Sequence, residues 1–298
     1  MMKARALPTA AAPGSTGVVR TALSLMRVEK PLCATFFAFL GAWLVAPLPA
    51  LWAAPALKAA ACVGCITAFG FVINDCCDLA VDTLGKPSRP LPAGQVSLRA
   101  ANAFAWAWAA AGLAFGASLG VVPALSAAGA VALSAAYSMR LKSTLLLGNV
   151  TVALLVAGVL VFGAFVVGRV TPTVLVAAGI TFTYIVAQEA LFNLEDEDED
   201  RAAGLHTTAT RLGTPRTARL VRMLLLVFAA VALAPWVAGF ASAAYVTVLA
   251  ALSLGPAAVM WWWLRPPVHA AAVSRAVRLS RLLWVTSFLP LALLKCPS

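Results

Sequence analysis

The sequence predicts an all-α, polytopic membrane protein, folded as a bundle of nine transmembrane helices around a central apolar cavity. Of its 298 residues, 62% are hydrophobic and only 11% are charged, and the mean hydropathy is +0.92. That composition is too apolar for a soluble domain of this size. Apolar runs long enough to cross a bilayer, which takes about 20 residues, recur along the chain. They lie at 31–50, 54–80, 99–119, 121–139, 145–168, 172–194, 217–240, 241–264 and 279–295.

The positive charges predict how the chain is threaded through the lipid bilayer. When alternate loops are assigned to one side, 19 of the 22 lysines and arginines fall on that side. Since cytoplasmic loops carry the excess of basic residues, we expect the N-terminus in the cytoplasm and the C-terminus on the opposite side. The net charge of +11 is therefore explained by topology, and no nucleic-acid partner is expected.

The domain organisation is simple. Residues 1–20 are rich in small and polar residues and contain no apolar core of the length that a signal peptide needs. We expect a flexible cytoplasmic tail there and a single transmembrane domain over 21–298, and whether the tail is a targeting segment stays open. Cys62 and Cys65 have the CxxC spacing, but without a second pair or a histidine cluster we expect buried free thiols.

The first candidate for chemistry is the stretch 74–94, NDCCDLAVDTLGKPSRPLPAG, where a long apolar segment ends in carboxylates. Asn74, Asp78 and Asp82 are four residues apart, so on a helix they stack on one face with about 6 Å of rise between neighbours. Ionisable groups this close to a membrane span are costly and usually functional. The loop that follows carries Lys86 and Arg89 between prolines, which predicts a stiff cationic flap.

A second stretch of the same kind is 188–213, QEALFNLEDEDEDRAAGLHTTATRLG. Here Glu189, Asn193, Asp196 and Asp200 form one stripe of a helix with 3.6 residues per turn. Together the two stretches hold ten of the 11 acidic residues, and both apolar segments are predicted to end at the cytoplasmic surface. Two facing acidic stripes require cations, and carboxylate and amide oxygens are the ligands that Mg²⁺ prefers.

These residues predict a site for a lipid-like diphosphate held by Mg²⁺ and basic side chains, opening onto an apolar interior. Such a site stabilises the charge on a departing diphosphate, and a dry pocket protects the allylic cation from water. The predicted metal ligands are Asn74, Asp75, Asp78, Asp82, Asn193, Asp196 and Asp200, and the predicted catalytic residues are Asp78, Asp82, Asp196 and Asp200. The predicted diphosphate-binding residues are Lys86, Arg89, Tyr137, Arg140, Lys142 and Arg201.

Three segments resemble the UbiA superfamily of intramembrane prenyltransferases. The stretch 74–94 matches that family's NDxxDxxxD motif with its RPLPxG loop, LEDEDEDRAAG looks like the second DxxxD motif, and YSMRLK is similar to the Tyr and Lys element after the fourth helix. The resemblance implies nine helices and Mg²⁺-dependent transfer of a polyprenyl group from a prenyl diphosphate to a hydrophobic acceptor. It implies that Asn74, Asp78, Asp82, Asp196 and Asp200 hold the metal ions and that Lys86, Arg89 and Lys142 contact diphosphate.

The second motif is similar to the branch of the family with homogentisate or isoprenyl-glyceryl-phosphate acceptors, more than to the 4-hydroxybenzoate transferases. Several positions depart from the family pattern. Cys76 and Cys77 replace an aromatic pair, Gln188 replaces an arginine, and Phe192 and Asn193 replace a lysine and an aspartate. We therefore expect an unusual acceptor pocket, taking an aromatic quinone precursor or a lipid-like molecule.

Two other functions stay open from the sequence. A terpene cyclase on the same scaffold would use the same metal motifs and release diphosphate without an acceptor. An ion-coupled transporter fits less well, because its carboxylates would lie near the membrane midplane.

Outside these motifs, Trp261, Trp262 and Trp263 followed by Arg265 predict an aromatic belt at the membrane interface.

Overall fold

The computed structural model describes residues 15–286 and 288–295, and within that part the protein contains helices and no strand. The α-helices are α1 Ser15–Met26, α2 Glu29–Trp43, α3 Ala54–Cys77, α4 Leu79–Gly85, α5 Leu98–Ala117, α6 Val121–Met139, α7 Leu147–Val167, α8 Pro172–Glu195, α9 Glu197–Ala202, α10 Thr208–Leu212, α11 Thr214–Val237, α12 Ala243–Leu249, α13 Gly255–Trp263, α14 Ala270–Thr286 and α15 Phe288–Ala292. Short 3₁₀ turns lie at Leu48–Trp52 and Leu141–Ser143, and a π-helical turn, Ala250–Leu254, joins α12 to α13.

Six helical segments of the described chain are long and apolar enough to cross a membrane. They are α3, α6, α7, α8, α11 and the continuous segment Ala243–Trp263. The prediction of an all-helical, multi-pass membrane protein is therefore confirmed. The other three predicted spans fall on α2, on α5, and on the end of α14 together with α15.

The structure describes only part of the predicted N-terminal tail, from residue 15 onward. Residues 15–20 of the predicted tail belong to α1, which the sequence analysis did not anticipate, and residues 1–14 lie outside the described residues. Leu25 and Met26, in the last turn of α1, are buried in the same apolar cluster as residues of α3. This anchors the N-terminal helix beside the first acidic stretch.

The two helices that carry the acidic stretches are also the two most buried spans. In α3 and α8, 61% and 67% of the apolar window is buried inside the protein, against 28–33% in the other four spans. One apolar cluster is built around α3 with α5 and α6, and a second around α8 with α2, α7 and α11. A helix that is apolar on all faces is typical of such a central position. The central packing of α3 and α8 therefore brings both acidic ends together at one end of the bundle.

Two glycines allow α2 and α7 to join these clusters. Gly41 lies against the backbone of Leu160, and Gly163 lies against the backbone of Ala38, so closely that a Cβ atom at either glycine would overlap the facing carbonyl group. Small residues at such crossings let membrane helices approach closely. The α2–α7 contact depends on both glycines.

Candidate active site

The first acidic stretch is bent at its central aspartate. α3 ends at Cys77, α4 begins at Leu79, and Asp78 between them has φ −93° and ψ 4°. The backbone hydrogen bonds nevertheless keep their four-residue step, because Asp78 N donates to the Asn74 carbonyl at 2.9 Å and Asp82 N donates to the Asp78 carbonyl at 2.8 Å. Asn74, Asp78 and Asp82 therefore stay on one side of the chain through the bend.

The second acidic stretch repeats this geometry. α8 ends at Glu195, α9 begins at Glu197, and Asp196 between them has φ −90° and ψ 8°. Asp196 N donates to the Phe192 carbonyl at 3.0 Å and Asp200 N donates to the Asp196 carbonyl at 2.9 Å. In each stretch the aspartate that the sequence places in the metal-binding motif lies where a long span gives way to a short helix.

A lysine joins the two stretches. The Nζ atom of Lys86, just after α4, lies 3.5 Å from Asp196 Oδ1 and 3.4 Å from Glu199 Oε2. Gly85 makes this approach possible, because a Cβ atom there would meet the Glu199 carboxylate. The predicted convergence of the acidic stretches is thus present in the fold, at the contact of α4 with α9.

Two more of the predicted diphosphate-binding residues pair with the first stretch. Lys142 forms an ion pair with Asp78. Arg89 lies 2.5 Å from Asp82 and 3.6 Å from Asp75, two carboxylates that are themselves buried. Together with the Lys86 contacts, these pairs define the carboxylate cluster, which consists of Asp75, Asp78, Asp82, Asp196, Glu199, Lys86, Arg89 and Lys142.

The segment that carries Lys142 is held from both sides. The 3₁₀ turn Leu141–Ser143 packs on Gly148, where a Cβ atom would lie 2.8 Å from the Leu141 carbonyl oxygen and 3.0 Å from Lys142 Cα. The Ser143 hydroxyl accepts a hydrogen bond from His206 N at 2.9 Å. Burial lowers the pKa of Lys142 from its usual value. The lysine therefore occupies a fixed, partly desolvated place beside Asp78.

Asp200 lies in α9, outside the long spans, and is half-buried. Burial raises its pKa to about 6, the hydrogen bond from Thr207 lowers it, and the Asp196 charge raises it again. The positive charges of Lys86 and Lys142 also lower the pKa of Asp200, and a further positive charge beside it would favour the ionised form more strongly.

Other predicted site residues have partners outside the carboxylate cluster. Asn193 accepts a hydrogen bond from Asn149 Nδ2 at 3.1 Å. Arg201 pairs with Glu197 at 2.6 Å. Arg140 is exposed just after α6, and Tyr137 is half-buried in its last turn. The structure therefore brings Lys86, Arg89 and Lys142 to the carboxylates and leaves Arg140 and Arg201 at the periphery.

Sequence reasoning missed two cations. Arg27, between α1 and α2, donates a hydrogen bond to Asp75 and lies over the Phe71 ring at 5.2 Å. Together with Ser24, Ser88 and Arg89 it lines a polar cavity that also includes Pro90. Lys30, one turn further along, lies 5.3 Å from the Trp284 ring centroid. The sequence signal was present in LMRVEK, but these charges were assigned to topology alone.

A buried hydrogen-bond network surrounds Gln188, one of the positions that departs from the family pattern. Gln188 Nε2 donates to the Ser280 carbonyl at 2.9 Å, the Tyr184 hydroxyl donates to the same carbonyl at 2.9 Å, and Trp284 Nε1 donates to Gln188 Oε1. The family pattern has an arginine at this position, which would place a positive charge among these residues. The uncharged side-chain amide of Gln188 instead forms hydrogen bonds with residues of α8 and α14.

An apolar cavity lies next to this network. Its walls come from α2, α8, α11, α14 and α15 and include Phe37, Tyr184, Phe228, Trp284 and Leu291. Thr181 and Ser253 contribute hydroxyl groups to an otherwise apolar lining. The enclosed volume is only about 30 Å³, so a hydrocarbon chain could enter only if the surrounding helices moved apart.

The carboxylate cluster fits Mg²⁺ by the chemistry of its donors, which are hard carboxylate and amide oxygens. Within residues 15–286 and 288–295, however, no three His, Cys, Asp or Glu side chains are grouped closely enough to hold a metal ion. The reason is visible in the pairs above, since lysine and arginine side chains occupy the places between the carboxylates. Metal binding requires these cations to move aside.

Comparison with known proteins decides which family this architecture represents. The model of the UbiA prenyltransferase family matches residues 34–285. The chain belongs to the UbiA prenyltransferase family.

Within the UbiA family, the relatives include several digeranylgeranylglyceryl phosphate synthases. The protein of that name from Sulfolobus acidocaldarius is 30% identical over 227 residues, which cover 74% of this chain and 80% of the relative. The one from Methanopyrus kandleri is 33% identical and is covered to 85%. The match to the Methanoregula boonei protein reaches 41% identity but spans only 55% of that relative's length.

Solved UbiA-type structures share the fold. A structure of digeranylgeranylglyceryl phosphate synthase aligns with a TM-score of 0.72 and 21% identity, covering 92% of this chain and 97% of that one. A UbiA homologue from Archaeoglobus fulgidus bound to GPP and Mg²⁺ aligns with a TM-score of 0.68 and 20% identity, covering 91% and 99%. The all-helical arrangement of this chain is therefore that of the UbiA family.

Proposed function

We propose that the protein transfers a prenyl group from a prenyl diphosphate to a hydrophobic acceptor, with Mg²⁺ as cofactor. The observation that carries this proposal is the meeting of the two acidic stretches, with Lys86 between Asp196 and Glu199. The family membership and the relatives' names support it. Among acceptors, a lipid-like glyceryl phosphate is the first choice, because relatives that are 30% and 41% identical to this chain carry the name digeranylgeranylglyceryl phosphate synthase. An aromatic quinone precursor is the second choice.

The motif residues would hold the metal, namely Asn74, Asp78, Asp82, Asp196 and Asp200. Bound there, Mg²⁺ would neutralise charge on the diphosphate and favour its departure. Asp75 and Asn193 stay further candidate ligands, and they would exchange their partners Arg27 and Asn149 for the metal just as Asp78 would exchange Lys142.

In this proposal the lysines and arginines of the carboxylate cluster pair with carboxylates in the free protein and with the diphosphate in the substrate complex. Before substrate binds, Lys86, Arg89 and Lys142 neutralise carboxylates. When substrate arrives they turn to the diphosphate oxygens, because charge-assisted hydrogen bonds to phosphate are among the strongest in proteins. Arg27 is a further candidate, since it lines the polar cavity beside Arg89. Arg140 and Arg201 are weaker candidates, because Arg140 is exposed and Arg201 pairs with Glu197. Tyr137, which is half-buried in the last turn of α6, stays a candidate.

The chemical step breaks the bond between the allylic carbon and the diphosphate oxygen. The electron pair leaves with the diphosphate, and the positive charge stays on the prenyl group. An acceptor hydroxyl or ring carbon then donates an electron pair to form the new bond and loses a proton. Because the positive charge develops on the carbons next to the diphosphate, water has to be excluded at the carboxylate cluster itself to protect the cation.

We assign the prenyl chain to the apolar cavity, and we propose that this cavity is the central cavity expected from the sequence. Tyr184, on its wall, precedes Asp196 by twelve residues of the same helix, which corresponds to about 18 Å along the axis. A chain anchored by its diphosphate at Asp196 reaches the cavity if it contains several isoprene units.

We further propose that α2, α5 and the segment 279–295, which contains the end of α14 and all of α15, cross the bilayer together with the six long spans, giving nine. In this arrangement the N-terminus and the carboxylate cluster lie on the cytoplasmic side and the C-terminus lies on the opposite side. The support is the distribution of basic residues, with 19 of 22 on one side.

The decisive experiment measures diphosphate release by the purified protein in detergent with Mg²⁺ and prenyl diphosphates of 10 to 20 carbons. Each is assayed alone, with a glyceryl phosphate lipid, and with a set of aromatic acceptors. Release that requires an acceptor establishes the transferase and identifies the acceptor class. Release without acceptor, together with a hydrocarbon or terpene alcohol product, would instead identify a terpene cyclase. Absence of release in every arm would contradict both.

A further inference from the structure

A second group of cations lies on the other half of the same end of the bundle, where α11, α13 and α14 meet. We call it the arginine–tryptophan cluster, and it consists of Arg222, Arg265, Arg275, Trp261, Trp262 and Trp263. The Arg222 guanidinium lies 4.0 Å from the Trp261 ring centroid, and Arg265 lies 5.2 Å from the same ring and 3.3 Å from Trp262. Arg275 lies 5.2 Å from the Trp263 ring. Two positive charges therefore share one indole.

These charges lack carboxylate partners. Ten of the chain's 11 acidic residues lie in the two stretches described above, and the remaining one is Glu29. Among the described residues, the ion pairs include none with Arg222, Arg265 or Arg275. Arg219 adds another exposed cation three residues before Arg222 on α11, on the same helix face. Repulsion between these charges is relieved by an anion from outside the chain.

Two hydrogen-bond donors in the cluster are also unused. Arg222 Nε and Trp261 Nε1 are both shielded from solvent, and neither has an acceptor within the described part of the chain. A buried donor without a partner costs more free energy than an ordinary hydrogen bond contributes. A membrane-interface belt and topology-determining charges explain why arginine and tryptophan occur here, but neither explains two unsatisfied donors at the point where the rings and guanidinium groups meet.

We propose that the arginine–tryptophan cluster binds the phosphate group of an anionic phospholipid from the adjacent leaflet. Phosphate oxygens can accept hydrogen bonds from the unpartnered guanidinium and indole N–H groups. They also carry negative charge, which would neutralise the arginines that have no carboxylate partner. A lipid is favoured over free phosphate by the surface next to the cluster, where Met223, Val259 and Trp262 expose 56%, 41% and 60% of their surface. Such side chains suit acyl chains, and basic residues at this level attract anionic lipids.

The site is separate from the proposed chemistry, since it shares no residue with the carboxylate cluster or the apolar cavity. Its test therefore stands whether or not the protein is a prenyltransferase.

The experiment compares phospholipid binding by the full-length protein in detergent, using native mass spectrometry with phosphatidylglycerol, phosphatidylcholine and inorganic phosphate as probes. The test variant is Arg222→Gln/Arg265→Gln. The matched control is Arg20→Gln/Arg99→Gln, which removes two exposed arginines from the other half of the protein. The wild type and the control should retain phosphatidylglycerol in preference to phosphatidylcholine, and the test variant should bind phosphatidylglycerol about 10- to 30-fold more weakly.

Two conservative variants separate recognition from general loss of structure. Trp261→Phe keeps the aromatic face but removes the N–H donor, and Arg222→Lys keeps the charge but removes Nε; each should weaken binding about threefold to tenfold. Equal retention of the two lipids, unchanged affinity in the double variant, or displacement of phosphatidylglycerol by millimolar phosphate would each overturn the proposal.

Discussion

The two groups of cations at the end of the bundle contain similar residues in opposite electrostatic settings. In the carboxylate cluster, Lys86, Arg89 and Lys142 each lie beside an aspartate. In the arginine–tryptophan cluster, Arg222 and Arg265 lie over indole rings and have no carboxylate partner among the described residues. The first group can exchange its internal partners for a metal ion and a diphosphate, because each of its three cations already lies beside a carboxylate and its five carboxylates leave room for further positive charge. The second group still requires an anion.

The largest expected effect comes from the aspartates at the two bends. Asp78→Asn or Asp196→Asn removes a charged metal ligand while keeping the shape of the side chain, so diphosphate release should fall about 100- to 1,000-fold. Asp198→Asn is the matched control, since Asp198 lies in the same acidic run but is exposed. Turnover within about threefold of wild type in either bend variant would refute the metal assignment.

Lys142→Gln tests whether the internal ion pairs serve the substrate. The change removes the cation beside Asp78, and we expect diphosphate release to fall about 10- to 100-fold. The control, Arg99→Gln, removes a cation that is exposed at the start of α5. If both variants retain full activity, Lys142 serves only to neutralise Asp78.

Gly148→Ala tests the support behind Lys142 without altering any charge. A methyl group there overlaps the backbone at Leu141 and Lys142, which should cost about 1–3 kcal/mol of unfolding free energy and lower turnover. Gly129→Ala is the control, because a Cβ atom at Gly129 meets nothing within 4 Å. Thermal melting in detergent, monitored beside diphosphate release, measures both effects. A Gly148→Ala protein that melts and turns over like wild type would show that the contact is easily relieved.

The smallest expected effect tests whether the arginine–tryptophan cluster acts independently of the carboxylate cluster. Arg222→Gln/Arg265→Gln should leave diphosphate release within about twofold of wild type in detergent without added phospholipid, because neither arginine contacts the carboxylate cluster. A loss as large as that expected for Lys142→Gln would show that the two groups act on the same substrate.

Sequence patterns were sufficient to locate the two acidic stretches. The four-residue spacing of Asn74, Asp78 and Asp82 and the concentration of acidic residues in two windows came from local sequence alone, and the structure brings the two windows together. Local spacing could not reveal the bends at Asp78 and Asp196, because each helix pattern continues through the break. It also could not reveal the Asn193 contact, since its partner Asn149 lies 44 residues away.

The sequence by itself determined that this is an all-helical membrane protein with two acidic stretches, because hydropathy and helical periodicity are properties of neighbouring residues. Only the tertiary structure decided which cations belong to which site. Arg27 reaches Asp75 across 48 residues, and Arg222 reaches Trp261 across the contact of α11 with α13. Charges of the same sign look equivalent along a chain, and their roles differ because packing sets which partner lies within a few ångströms.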